Sequence, residues 1–138
     1  MTRHEIREEV FKLLFQVQFH DAEVLGDQLD LALEEANAFP EEVKPIPEEV
    51  AAEIRSKVEA ITERIPQMDE EINRKVEGWK TGRMGKVDLT ILRLALYEIR
   101  VEGLAEGIAI NEAVEIAKKY GSDASSSFIN GALAKLVK

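Results

Sequence analysis

The chain has 138 residues, 45% of them hydrophobic and 33% charged, which suits one folded domain, at most two small subdomains, and excludes a disordered chain. It contains no cysteine, so disulfides, thiolate metal sites and cysteine nucleophiles are ruled out and the fold must rest on packed apolar surface. The net charge of −9 argues against bulk attraction to nucleic acid or acidic lipid, and the absence of a signal-peptide core or a run of about 18 apolar residues predicts a cytoplasmic protein with no membrane partner.

The dominant period is helical. Ile6, Val10, Leu13 and Val17 repeat at four and three residues and mark one face of a first helix. Leu25, Leu29, Ala32 and Ala36 mark a second, and Pro40, Pro45 and Pro47 break the chain in a linker from Phe39 to Ile46. Val50, Ile54, Val58 and Ile61 mark a third helix. Pro66 ends or kinks it, and Met68, Ile72 and Val76 begin a fourth that runs to Trp79. Gly78, Gly82 and Gly85 make a turn. The run LTILRLALYEIRV at 89–101 is apolar nearly all round, as a helix at the centre of a domain should be. Asn111 is predicted to cap the next helix, EAVEIAKKY, whose last turn carries Lys118 and Lys119 before Gly121. Ser122 and Asp123 are predicted to cap a last helix with apolar Phe128, Ile129, Ala132, Leu133, Leu136 and Val137. No strand alternation is present, so the reading is all-α with about six or seven helices.

Charge is unevenly spread. Residues 21–71 hold sixteen acids and four bases, whereas 72–100 hold seven bases and three acids. A polyanion should avoid the second quarter of the chain and seek the middle and the ends.

Enzymatic signatures are missing. GRMGK at 82–86 lacks the earlier glycine and the Ser or Thr of a phosphate loop. There is no HExxH or GxSxG motif, and Glu112 and Glu115 have no histidine partner of the di-iron kind. His4 and His20 form no metal-ligand spacing. Neither catalysis nor a cofactor or metal is expected.

Other residues admit two readings. Phe11, Phe15 and Phe19 lie on the first helix roughly opposite its main apolar face. Either the helix is sandwiched within the core, or part of this stripe, Phe15 above all, faces a partner protein. Arg3, His4 and Arg7 gather at the start of the same helix, where cations oppose the dipole. The first reading is a solvated, frayed end, since Glu5, Glu8 and Glu9 cancel the charge; the second is a bound anion. Gly131 inside the last helix points to close helix packing, and its neighbour Asn130 either bonds a nearby backbone or faces a ligand. Arg93 inside the central apolar helix calls for a structural carboxylate partner.

Three blocks in order, VDLTILRLALYEI (87–99), GIAINEAVEIAKKYG (107–121) and SSSFINGALAKL (125–136), resemble the NusB family of bacterial transcription antitermination factors. The resemblance is strongest from Trp79 onward, and the first helix matches through Leu14-Phe15. It implies an all-helical protein of two small bundles set at an angle, about 1–66 and 67–138. It implies no enzyme, but a factor that binds single-stranded boxA RNA with the ribosomal protein NusE inside an RNA polymerase antitermination complex on ribosomal RNA operons. By position it places Arg3, His4 and Arg7 on a basic RNA-binding motif, and Lys119, Tyr120, Ser125, Ser127 and Phe128 on a second RNA-proximal segment, with Lys118 beside it. It places Phe15 and Asp88 toward NusE. The motif at 3–7 is sparser in arginine than the family's, Ser127 stands where a basic residue is common, and Ala124 where an acidic or polar one is. Each missing phosphate contact weakens binding. The alternative is a helical interaction module or homodimer with weak or lost RNA binding.

Overall fold

The computed structural model describes residues 1–17, 46–76, 78 and 80–137. The predicted second helix, most of the proline linker, Phe19, His20 and Trp79 lie outside the described residues. Among the described residues all regular structure is helical: α1 (Arg3–Val17), α2 (Glu48–Glu63), α3 (Ile65–Lys75), α4 (Lys86–Arg100), α5 (Glu106–Tyr120) and α6 (Ser125–Leu136), with one short 3-10 turn at Thr81–Arg83. The chain divides into two compact units, Met1–Thr62 and Glu63–Lys138.

In the first unit, α1 starts on a reciprocal cap. The Glu5 amide donates to the Thr2 hydroxyl at 3.0 Å and the Thr2 amide donates to the Glu5 carboxylate at 2.9 Å. This satisfies backbone donors that a helix start leaves unpaired. The predicted face of Ile6, Val10 and Leu13 is buried, and so are Phe11 and Leu14, so α1 buries a broader arc than one stripe. In α2 the predicted Ile54, Val58 and Ile61 are buried.

The second unit is built around α4, which packs against α3, α5 and α6, while α5 packs along α6. Its sequence accounts for this: Leu89, Ile91, Leu92, Leu94, Ala95, Leu96 and Tyr97 are buried, leaving no polar face beyond a narrow strip. Arg93 lies on that strip and makes a two-pronged bond to Asp69 of α3 at 2.9 and 2.6 Å, the structural pair expected of it. Pro66 falls in the first turn of α3, where its missing amide has no helical partner to lose.

Three boundaries differ from expectation. α3 ends at Lys75 because Val76 leaves helical geometry at ψ 89°. α5 begins at Glu106, so Asn111 is an internal residue of the helix rather than its cap. α6 begins at Ser125 after Ala124, with no side-chain cap from Ser122 or Asp123. Between α4 and α5, Gly103 adopts φ +69°, a conformation that costs other residues a steric clash, and it lets the Leu104 amide turn back onto the Glu98 carbonyl at 2.9 Å.

The C-terminus of α6 is tied down. Its Leu136 carbonyl accepts from Arg100 at 2.8 Å and from Lys75 at 3.5 Å. Glu71 lies between these cations, 2.8 Å from Arg100 and 3.1 Å from Lys75. Burial pushes the Glu71 carboxyl up, but the hydrogen bonds and charges of Arg100 and Lys75 together outweigh it and hold the group below its ordinary value.

Candidate nucleic-acid and partner surfaces

In the first unit the basic side chains at the start of α1 are engaged by carboxylates. Arg3 meets Glu53 of α2 at 3.0 Å, with side chains 83% and 50% exposed. His4 meets Glu8 one turn on at 3.3 Å, and Arg7 is half-buried. Exposed pairs of this kind contribute about 0–1 kcal/mol, so a phosphate can take Arg3 from Glu53 at small cost. The start of α1 is not the frayed end of the first reading: Thr2 and Glu5 close it. The signal was in the sequence, as a threonine followed three residues later by glutamate. The partnership of Arg3 with Glu53 had no such signal, because it spans 50 residues.

Phe15 is half-buried and stacks on buried Phe11, with ring centroids 6.4 Å apart and planes at 24°. The stripe thus splits along its length, Phe11 into the core and Phe15 to the edge. Asp88 sits in the first turn of α4, where the helix dipole favours a carboxylate. Its Oδ1 is buried and has no hydrogen-bond partner among the described residues.

In the second unit the turn joining α5 to α6 brings together the other residues expected to lie near RNA. Lys118 and Lys119 are exposed in the last turn of α5, Lys118 3.6 Å from Glu115 and Lys119 over the Tyr120 ring at 5.4 Å from its centroid. Cations there complement the helix dipole and the ring face. Tyr120 and Phe128 are half-buried. Ser127 is exposed, but Ser125 is 2% exposed and its hydroxyl accepts from the Ser122 amide at 2.9 Å. Ser125 therefore holds the turn. Gly121 makes room for it: a Cβ there would lie 2.5 Å from the Ser125 hydroxyl. Gly131 answers differently from expectation. It is exposed and a Cβ built on it meets nothing within 4 Å, so close packing does not require it.

Residues 4–138 match the family model described as the NusB family. The chain belongs to the NusB family. Among relatives, the transcription antitermination protein NusB of Agathobacter rectalis is 50% identical over 137 residues, covering 98% of each chain. Among solved structures, T. maritima NusB is 33% identical with a TM-score of 0.80, over 99% of this chain and 90% of that one. A structure of antitermination factors NusB and NusE with dsRNA shares the fold at 21% identity and a TM-score of 0.76, over 99% and 97% of the two chains. The all-helical fold expected of a NusB-family chain is the one observed, and the blocks at 87–136 that carried the resemblance form α4, α5, the tight turn and α6.

Proposed function

We propose that this NusB-family chain is a transcription antitermination factor that binds boxA-type single-stranded RNA together with NusE, without catalysing a reaction. The carrying observation is family membership over residues 4–138 together with 50% identity, across nearly its whole length, to a protein named for antitermination. The surfaces are chemically suited to it. Arg3, His4 and Arg7 would meet phosphates at the start of α1. Lys118 and Lys119 would do the same at the end of α5, with Tyr120 and Phe128 available for stacking on bases. Ser127 would contact the strand, and Ser125 would act by holding the turn.

Phe15 and Asp88 would face NusE. The half-buried Phe15 offers apolar contact, and Asp88 offers a half-buried carboxylate in the first turn of α4. The proposed organisation is one NusB-like domain with an N-terminal and a C-terminal part, working in the cytoplasm. Gel-shift titration with boxA-like and scrambled RNA, with and without NusE, tests the reading. A supershift with NusE that favours boxA is expected; no RNA binding in either condition would sink it.

A further inference from the structure

An open surface groove between α5 and α6 offers about 480 Å³, room for a flat ring laid against it and left partly in solvent. Among the described residues, its lining holds no ionisable side chain. Ile110 and Val114 supply apolar surface, while Asn111, Asn130, Ser126 and Ser127 supply polar atoms. Among the described residues, none of these four polar side chains has a hydrogen-bond partner. Asn111 and Asn130 are exposed inside helices, where asparagine is a weaker helix former than alanine. Among the described residues they therefore add neither a side-chain bond nor helix propensity to the fold. Gly107 also lines the groove, and a Cβ there would meet nothing within 4 Å. Packing does not demand that glycine; its bare backbone keeps the groove open.

We infer that this groove receives one unstacked base of the bound RNA strand, read by the carboxamides of Asn111 and Asn130. The inference rests on the proposed RNA-binding function and adds a base-reading site to it. The chemistry selects the ligand part. An uncharged groove has nothing to neutralise a phosphate, whereas each carboxamide presents a donor and an acceptor side by side, the pattern that pairs with a base edge such as that of adenine. Ile110 and Val114 give the base face an apolar surface. Continuity supplies the route: Ser127 lines the groove and also belongs to the segment proposed to meet RNA. The lysines near that turn would hold the strand by its phosphates, and the groove would supply the sequence preference that phosphate contacts lack.

The test pairs protein variants with base deletions. Fluorescence anisotropy with the full chain and NusE would compare a boxA-type oligonucleotide with a series each carrying one abasic position. For the unaltered protein, one abasic position should cost about tenfold or more in affinity. Asn111→Ala and Asn130→Ala should each weaken the intact RNA by about tenfold, and that same abasic position should then cost each variant clearly less than it costs the unaltered protein, while the other abasic positions cost the same. The salt slope should not change, since no phosphate contact is lost. Gly107→Leu, which fills the groove and leaves both asparagines in place, should give the same loss.

If the unaltered protein prefers boxA while all three variants bind it equally well, the groove inference fails and the antitermination reading stands. If the asparagine variants lose affinity equally for every abasic oligonucleotide, they read no base, and the inference also fails. Weakened binding of NusE in the absence of RNA would make the groove a protein surface and overturn it. If the unaltered protein shows no preference for boxA at all, both readings fall together.

Discussion

At Gly121 an added Cβ would lie 2.6 Å from the Ser125 Cβ and 2.8 Å from the Ala117 carbonyl oxygen. Ser125 cannot give way without releasing the Ser122 amide, and the carbonyl is fixed in α5. Gly121→Ala should therefore cost about 1–3 kcal/mol, read as a lowered urea midpoint, and should weaken RNA binding by disturbing the turn. Gly131→Ala should do the opposite. With open space around it, the change should raise stability by about 0.5–1 kcal/mol, and a thermal shift would show it. A loss at residue 131 would mean that its backbone is covered. Phe15→Asp should retain the fold at a cost of about 1 kcal/mol from the lost Phe11 stack and should weaken NusE binding. If unfolding instead reveals a loss of several kcal/mol, the ring is core and the partner reading is wrong.

Helix α4 is held by two pairs of different character. Arg93 and Asp69 are only 11% and 22% exposed and form two parallel bonds. Arg93→Ala should cost about 3 kcal/mol, because it strands a partly buried carboxylate. Arg93→Lys should recover part of that at best, since an ammonium cannot reproduce the fork. Glu71, Lys75, Arg100 and the end of α6 form the second cluster, and Arg100 is 41% exposed, so the Glu71 pair contributes about 0.5–1 kcal/mol. The Glu71 pKa is lowered on folding. Its contribution is thus complete above the unfolded carboxylate pKa and is lost as pH falls through the lower, folded value. Glu71→Gln should narrow the gap in stability between neutral and strongly acidic pH, measured by urea melts at each; an unchanged gap would show that Glu71 does not link α3 to α4 in the way described.

On the scale of the molecule, net charge and local charge pull in opposite directions. The chain carries −9 overall, and Arg3 and His4 already face Glu53 and Glu8. In the proposed complex, RNA would displace those carboxylates while approaching a negative body. The chain alone should therefore bind RNA weakly, and NusE should strengthen it. Arg3→Ala with Arg7→Ala should lower affinity for boxA and scrambled RNA alike and reduce the salt slope by about one to two units. Anisotropy at several salt concentrations measures this. A double variant that lost discrimination but kept its slope would make the two arginines base readers.

By itself the sequence determined the helical class, the centrality of residues 89–101, the buried faces of α1 and α2 and the need of Arg93 for a carboxylate, because apolar period and local chemistry act over one or two turns. It carried the family resemblance through blocks that turn out to be whole elements of the second unit. It also held the Thr2–Glu5 cap, a four-residue pattern. Only the tertiary structure decided the rest. Asp69 as the partner of Arg93, Glu53 as the partner of Arg3, and the meeting of Glu71, Arg100 and Leu136 all join residues 24 or more positions apart. Ser125, placed by resemblance among RNA-proximal residues, is buried as the brace of a turn. The glycines at 121 and 131 look alike in sequence and differ in space, one filling a gap too small for a methyl group and the other facing open surface. Asn111, a cap by its local sequence, is internal to a helix that begins five residues before it. These distinctions depend on what stands across from a residue, and one chain read alone has no information about its opposite wall.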